Sequence, residues 1–440
     1  MKREEIKLTK ELQFAQKLID FIYDSPSSFH VVKNVGDMLQ KKGFKKLDIR
    51  DKWNIKKGEK YYIEKNGTAL IGFVVGHGDI EEDGFRIIGA HTDAPTFRIK
   101  PSPEMVVENN YLKLNVETYG GPILSTWFDR PLGLAGRVSL KSENPLYPET
   151  RLLNINRPIL IIPNLAIHMN RNVNEGVELN KQKDMLPLLS LIDKEFSKDS
   201  YLIKLIAQEL NVDSSKIIDF DLFLYEFEKG SIVGLNNEFI SCGRLDDLAM
   251  VHAGIEALMD CSDSKATKVM VCFDNEEIGS STKQGADSPM LKTVLERIVY
   301  SLGKDREDFF RALYSSFIIS SDMAHALHPN YTDKHDPTNR PVINKGPVIK
   351  INANQSYTTD SDSCAVYEMI CERAGVPVQK FVNRSDLRGG STIGPISSTH
   401  LDIRSIDIGN PMLSMHSIRE LGGVLDHYYI KKSFDEFFKL

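Results

Sequence analysis

Two adjacent acids follow an apolar run and are the first residues that suggest chemistry. The run at 269–273 predicts a buried strand, and Glu276 and Glu277 come shortly after it in the segment DNEEIG. Neighbouring side chains of an extended segment point to opposite sides, so one carboxylate could bind a metal ion while the other faces a water on that ion. A solvated acidic turn is the ordinary explanation for such a pair when it stands alone.

Other segments place candidate ligands near the end of an apolar run or the start of a helix. His91 and Asp93 follow a predicted strand two positions apart, so both can face the same side, and Asp93 could fix the second ring nitrogen of a ligating histidine. Asp246 and Asp247 stand at the start of a predicted helix, where the dipole favours acids but where a carboxylate can also bridge two metal ions.

Two further segments add a carboxylate and histidines. Asp322 follows the apolar run 317–319, at a strand end, where open α/β sheets form their ligand crevices. His325 and His328 beside it are either ligands or local hydrogen-bonding residues. His416 is predicted to follow a loop and to open the last helix, where it could equally be a helix-start residue with a local hydrogen bond.

Taken together, these side chains match the inventory of a two-metal hydrolytic site. Zinc accepts imidazole nitrogen and carboxylate oxygen, and the absence of cysteine from the set favours catalytic over structural zinc. Cobalt and manganese are alternatives, because ligand type does not separate them from zinc. Two ions in such a site share a bridging carboxylate and act on one water.

Composition limits the classes of protein to which the chain can belong. The 440 residues carry a formal charge of −6, which argues against a general nucleic-acid binder. The five cysteines are odd in number and form no Cys-x-x-Cys pair, so reduced thiols are expected. Residues 1–7 lack an apolar signal core, and no apolar stretch is long enough to span a membrane. We therefore expect a cytoplasmic protein that binds neither nucleic acid nor a membrane.

Strands that alternate with helices must position the candidate ligands. Helices are predicted at 8–23, 29–42, 201–210, 245–259 and, as one or two amphipathic helices, 418–438; strands at 61–63, 68–75, 85–90, 105–107, 111–116, 136–140, 158–162, 220–225, 269–273 and 317–319. This order predicts an α/β fold with a mixed sheet covered by helices. Residues 99–237 are rich in short strands, so they are predicted to form a β-rich domain inserted between residues 1–98 and 238–440.

Six motifs carry a resemblance to a known family. They are GAHTDAP at 89–95, RLDD at 244–247, DNEEIGS at 274–280, SDMAHA at 321–326, KGPVIK at 345–350 and SMHSIRE at 414–420. Their types and order resemble the aspartyl aminopeptidase and vacuolar aminopeptidase I family of binuclear zinc metallopeptidases, and they cover nearly the whole chain. Asp247 departs from the family pattern, in which many members carry asparagine.

The resemblance implies a role for each candidate. One ion would be held by His91, Asp246 and Asp322, and the other by Asp246, Glu277 and His416. Glu276 would be the general base and acid, and Asp93 would orient His91. The fold implied is a zinc exopeptidase-like catalytic domain interrupted by a β-rich oligomerisation domain.

The resemblance also implies residues for the substrate and for assembly. Lys350 and Tyr357 lie in the region where the family recognises its substrate, although a solvated lysine and a packing tyrosine are the alternatives. The histidine that matches His168 reaches into a neighbouring subunit's site in the family, whereas a strand-end histidine bonded to backbone is the alternative. Family members are commonly tetrahedral dodecamers, so a homo-oligomer is expected.

The function predicted is that of a zinc-dependent aminopeptidase. It would release the amino-terminal residue, acidic or neutral, from peptides with a free amino terminus, by means of a water activated by two metal ions. One alternative is a binuclear metal amide hydrolase that acts on N-acylated amino acids. Another is a non-catalytic assembly or cargo-binding relative that retains the fold.

Overall fold

The computed structural model describes residues 9–192, 200–387 and 389–440. The first elements are α1 (Lys10–Asp24), α2 (Ser28–Lys41), β1 (Lys45–Lys46), β2 (Lys60–Lys65), β3 (Ala69–Val74), α3 (Ile80–Asp83) and β4 (Phe85–His91). The predicted helix at 8–23 is confirmed from Lys10, while Leu8 and the amino-terminal segment 1–7 lie outside the described residues. Strands β2 and β3 form a hairpin, because Asn66 and Gly67 both adopt the positive φ that a tight turn requires (57° and 72°).

A separate antiparallel sheet follows β4. Its elements are β5 (Thr96–Val107), β6 (Tyr111–Tyr119), β7 (Leu132–Leu140), β8 (Glu149–Leu160), β9 (Leu188–Leu191), α4 (Tyr201–Leu210) and β10 (Ile217–Glu226). The six strands lie in the order β8-β7-β10-β5-β6-β9. Leu202 and Ile206 of α4 are fully buried in the core of this sheet. The exact domain boundaries at 99 and 237 stay a prediction, and we call the region of this sheet the inserted sheet.

The chain then returns to the first sheet. The remaining elements are β11 (Ser231–Val233), β12 (Phe239–Cys242), α5 (Leu245–Asp260), β13 (Thr267–Phe273), α6 (Met290–Ser301), α7 (Arg306–Tyr314), β14 (Phe317–Ser321), β15 (Ala324–His325), β16 (Val348–Lys350), α8 (Ser361–Ala374), β17 (Gln379–Phe381), α9 (Ile393–Leu401), β18 (Arg404–Gly409), β19 (Pro411–Leu413), β20 (Glu420–Gly423) and α10 (Val424–Phe437). The α/β fold with a mixed sheet covered by helices, and a second β-rich region, is thereby confirmed.

The main sheet has nine strands in the order β1-β2-β3-β13-β4-β14-β18-β16-β17. Its four neighbouring strands β13, β4, β14 and β18 are parallel, so their carboxyl ends meet at one edge. Strand β13 is buried on both faces: Met270 packs into one hydrophobic core, and Val269 and Val271 pack into the other. Burial on both faces explains why this strand reads as a continuous apolar run.

The prediction for the last segment, 418–438, is wrong in its first part. Residues Glu420–Gly423 form strand β20, which pairs with β12 and β19, and the last helix begins only at Val424. Gly422 and Gly423 disfavour a helix, and the ladder with β12 takes up the backbone groups of this segment. His416 therefore lies in the connection between β19 and β20 and does not open the last helix. None of the described helices has the length and hydrophobicity that a membrane span requires.

Candidate metal centre

Parallel strands of the main sheet bring the candidate ligands to one edge. His91 ends β4, Asp322 follows β14, and Glu276 and Glu277 follow β13. The register pairs Phe273 of β13 with His91, so the segments after these two strands start side by side. This is the carboxyl edge of the sheet, where open α/β folds form their sites.

The side chains form two groups that share one carboxylate. In the first group, His91 Nε2 lies 3.4 Å from Asp246 Oδ1 and 3.9 Å from Asp322 Oδ1. In the second, His416 Nε2 lies 3.5 Å from Asp246 Oδ2 and 3.2 Å from Glu277 Oε2. Within each group the possible ligand atoms lie within 4.8 Å of one another. Each oxygen of Asp246 faces a different group, which is the arrangement that a bridging ligand needs.

The two adjacent acids both lie near His91, but on a turn and not in the extended segment that was predicted. Residues Glu276–Ile278 form a 3-10 turn, and Asn275 before it has a left-handed φ of 62°, so the expectation of an extended segment is wrong. Asp93 fixes this turn, because its two carboxylate oxygens accept hydrogen bonds from the backbone N–H groups of Glu276 and Glu277, each at 3.1 Å.

Asp93 also contacts His91 and the inserted sheet. His91 Nδ1 lies 3.1 Å from the Asp93 carbonyl oxygen and 3.4 Å from its Oδ1. While Nε2 faces Asp246 and Asp322, Nδ1 therefore has an acceptor on Asp93. The Tyr119 hydroxyl donates to Asp93 Oδ2 at 2.8 Å. Asp93 thus lies where it can orient His91, while its assigned role stays a prediction.

The site concentrates negative charge away from water. Burial raises the pKa of Glu276 to about 8, and burial together with the charge of Asp246 raises that of Glu277. Burial alone would lower the pKa of His91, but the carboxylates of Asp247, Asp246, Asp322 and Asp93 raise it well above its usual value. Crowded carboxylates of this kind call for cations.

Carboxylate oxygens without a hydrogen-bond partner also indicate that the site binds cations. Asp246 Oδ1, Asp247 Oδ1 and Glu277 Oε1 are buried and have no hydrogen-bond partner among the described residues. Buried polar atoms are nearly always partnered, so these three need a ligand. Imidazole nitrogens and carboxylate oxygens in two groups with a shared Asp246 fit two divalent ions, and zinc suits that donor set.

Lys350 and Tyr357 lie beside the first group. Lys350 is only 3% exposed, so the alternative of a solvated surface lysine is wrong. Its Nζ donates to Asp322 Oδ2 at 3.1 Å and to the Met323 carbonyl oxygen at 2.8 Å, and it lies 5.4 Å from the centre of the Tyr357 ring. Their roles toward a substrate stay predictions.

The other three candidate histidines, at positions 168, 325 and 328, belong to none of the ligand groups among the described residues. His168 lies exposed on a turn after β8 and contacts no residue of the cluster among the described hydrogen bonds and ion pairs. His328 Nδ1 accepts a hydrogen bond from Asn330 N at 3.2 Å, so it is a local hydrogen-bonding residue. His325 packs edge-on against Phe381 with ring centres 5.9 Å apart.

Sequence reasoning gave no role to two residues of the centre. Asp247 was named beside Asp246 but was not assigned as a ligand, yet its Oδ2 accepts from His91 N at 3.1 Å, and it belongs to the first group. Glu420 is 2% exposed and accepts from the backbone of both Asp246 and His416. The only sequence signal for Glu420 was its place in the SMHSIRE motif, four positions after His416.

Comparisons with known proteins show the family to which the chain is similar. The family model described as "Aminopeptidase I zinc metalloprotease (M18)" matches residues 21–438. A probable M18 family aminopeptidase 2 of Clostridium novyi (strain NT) is 66% identical over 433 residues, which cover 98% of this chain and 100% of that relative. A chain in the cryo-EM structure of the Ape4 and Nbr1 complex superposes with a TM-score of 0.95 at 38% identity, covering 100% of this chain and 88% of that one. The S. cerevisiae mApe1 dodecamer gives a TM-score of 0.84 at 31% identity, covering 97% of this chain and 96% of that one.

Proposed function

The chain belongs to the aminopeptidase I zinc metalloprotease (M18) family and is a zinc-dependent aminopeptidase, and from this premise we propose which residues carry its reaction. His91, Asp246 and Asp322 hold one zinc ion, and Asp246, Glu277 and His416 hold the other. The single observation that carries this assignment is the pair of groups that share Asp246, one oxygen toward each.

When bound, two divalent ions make a water more acidic and polarise the carbonyl of the first peptide bond. Glu276 takes the proton from the attacking water and later gives it to the leaving amine. Support comes from its place in the turn beside Glu277 and from its partly buried carboxylate near His91. Asp93 keeps Glu276 and the His91 ring in position through its contacts to both.

A hydrogen-bond donor would stabilise the oxyanion that forms on the carbonyl. We infer that His168 of a neighbouring copy supplies it, within a homo-oligomer that is a tetrahedral dodecamer. Its exposed turn and the similarity to the mApe1 dodecamer support this arrangement. One well-placed donor to an oxyanion contributes about 3–4 kcal/mol to transition-state stabilisation.

The amino-terminal residue of a peptide would lie near Lys350 and Tyr357. A buried ammonium beside Asp322 could attract an acidic side chain or tune that ligand, so a panel of aminoacyl substrates decides between acidic and neutral residues. The amide-hydrolase and non-catalytic alternatives lose support, because the matched family and relatives are aminopeptidases. The five free cysteines support a reducing compartment, and we propose the cytoplasm.

The decisive experiment replaces the general base. Glu276→Gln should keep about two zinc ions per chain but lower kcat by at least about a hundredfold, because the amide cannot accept the water proton. Elemental analysis and hydrolysis of free-amine peptides measure the two quantities. Glu81→Gln is the control, since it neutralises another mostly buried carboxylate, which pairs with Lys304 and belongs to none of the ligand groups among the described residues. Loss of one ion from Glu276→Gln would mean that Glu276 and Glu277 have exchanged roles.

A further inference from the structure

Glu420 joins two metal-site residues that are far apart in the sequence. It begins strand β20, and its carboxylate is buried with 2% exposure. Its Oε1 accepts the backbone N–H of His416 at 2.7 Å, and its Oε2 accepts the backbone N–H of Asp246 at 3.1 Å. Both oxygens are thus occupied by donors that belong to the second group of proposed ligands.

The two backbone segments that Glu420 holds are irregular. His416 has a φ of 67°, in the left-handed region that non-glycine residues seldom adopt. Asp246 has φ −82° and ψ 106°, which are not helical values although it lies within the span of α5. Neither N–H group belongs to a strand ladder, and the carboxylate of Glu420 is the acceptor for both.

The ring of His416 is held separately. Its Nδ1 lies 3.1 Å from the carbonyl oxygen of Gly121, in the segment that follows β6 of the inserted sheet. Gly121 therefore orients the imidazole, while Glu420 fixes the backbone from which the imidazole extends. The division leaves Glu420 with a task of its own: one carboxylate ties the backbone of Asp246 to the backbone of His416.

We propose that Glu420 is a positioning residue that sets the affinity for the ion shared by Asp246, Glu277 and His416, without contacting that ion. The inference rests on the ligand roles proposed above. Outer partners of metal ligands influence metal affinity because they decide how much of the ligand geometry exists before the ion arrives. Glu420 acts through two backbones at once, so its loss should affect this ion more than the one at His91 and Asp322.

Glu420→Gln tests the idea with little change in shape. The amide keeps one oxygen acceptor but turns an NH₂ group toward the other backbone N–H, so either Asp246 or His416 loses its acceptor. Asp426→Asn is the matched control. Asp426 is equally buried and accepts two backbone N–H groups, from Asn344 at 2.5 Å and Gly346 at 2.8 Å, neither of which belongs to a proposed ligand.

The assembled proteins are stripped of metal, and zinc is titrated in competition with a chromogenic chelator. We expect Glu420→Gln to bind one of its two ions about 10–100-fold more weakly than the unaltered protein, while Asp426→Asn binds both as before. His416→Ala identifies the affected ion, because it removes a ligand of the same group. Thermal unfolding of the loaded proteins verifies that each variant is folded.

Three results are informative. Unchanged affinity for both ions in folded Glu420→Gln, with one ion lost in His416→Ala, would overturn the role of Glu420 and leave the proposed ligands standing. Two tightly bound ions in His416→Ala would instead refute the ligand assignment itself. Equal weakening of both ions would also overturn the proposal. If Glu420→Gln does not fold, Glu420→Asp, whose shorter carboxylate cannot span both N–H groups, should show the same selective loss.

Discussion

The main sheet and the inserted sheet offer their candidate residues in opposite ways. Around the main sheet, His91, Asp246 and Glu277 are almost fully buried, and their ligand atoms converge within one chain. In the inserted sheet region, His168 lies exposed on a turn among apolar side chains that are also exposed, Leu165, Ile167 and Met169 at 54%, 51% and 71%. The candidate metal ligands therefore converge within a single chain, whereas His168 lies exposed and belongs to none of their groups.

The two regions still meet behind the metal centre. The Tyr119 hydroxyl of the inserted sheet donates a hydrogen bond to Asp93, and the carbonyl oxygen of Gly121 lies within hydrogen-bond distance of the His416 ring. Arg419, close to His416, places its Nε 3.0 Å from Glu226 Oε1 at the end of β10. The inserted sheet thus contacts candidate ligands of its own chain, and its turn at His168 is exposed.

The largest expected effect comes from the shared ligand of the main-sheet region. Asp246→Ala should lose both zinc ions and all measurable activity, because each ion loses a ligand, whereas Glu277→Ala should weaken mainly one ion. Elemental analysis after gel filtration measures the content, and the loss should not depend on the oligomeric state. Equal metal loss in the two variants would contradict a bridging Asp246 and would remove the contrast between shared and single ligands.

How much of this region the sequence could predict depends on the range of the interactions. The strands that end at His91, Phe273 and Ser321 are local apolar runs, so their ends and the acids after them were predictable. The matches to family motifs then paired those acids without any structure. Asp93 was also predictable from local sequence, because it stands two positions after the candidate ligand His91.

Long-range pairing decided what the sequence could not show. Residues 418–438 look amphipathic throughout, but the ladder with β12, about 180 residues earlier, makes Glu420–Gly423 a strand and moves His416 into a connection. The partners of Glu420 are backbone N–H groups, which leave no trace in side-chain patterns. The 3-10 turn at Glu276 was missed because Asn275 adopts a left-handed conformation that a period-two pattern does not reveal.

The next effect concerns the inserted-sheet region alone. His168→Phe should keep both metal ions and the oligomer but lower kcat about 10²–10³-fold with little change in KM, because an oxyanion donor acts mainly in the transition state. Peptide kinetics, elemental analysis and gel filtration measure the three properties. His77→Phe, which alters another exposed histidine, is the control and should be fully active.

Mixing two inactive variants sharpens the contrast between the regions. If His168→Phe and Glu276→Gln chains exchange subunits, a site with an intact base from one chain and an intact histidine from its neighbour should work. With random pairing in equal mixture, about a quarter of the sites would be of this kind. Differently tagged chains verify that mixed oligomers form. Mixed oligomers no more active than their parents would contradict a site shared between copies.

The smallest expected effect is a pH dependence of stability in the main-sheet region. It follows from protons that replace metal ions on the candidate ligands. Burial raises the pKa of Glu276 and of Glu420 to about 8, against an ordinary 4.5. Burial opposes protonation of His91 and His416, but the carboxylates around them raise both pKa values above the ordinary 6.5. In all four groups the folded state binds its proton more tightly than the unfolded state. Their contribution to stability is therefore complete at low pH and is lost as the pH rises through the folded pKa values.

Metal-free protein should accordingly become less stable as the pH rises from about 6.5 to 8, with a fall in Tm of a few degrees. Other buried histidines act in the opposite sense only below pH 6.5: burial lowers the pKa of His252 to about 3, and it lowers that of His427 too. Asp426, outside the metal centre, contributes in the same window because burial raises its pKa to about 7, so the difference that zinc makes, and not the fall in Tm alone, reports on the centre. Zinc replaces the protons, so the rise in Tm on adding zinc should grow with pH across the same window. Calorimetry of chelator-treated and zinc-loaded protein at several pH values measures both trends. Parallel Tm profiles with and without zinc would show that these side chains do not exchange protons for metal ions.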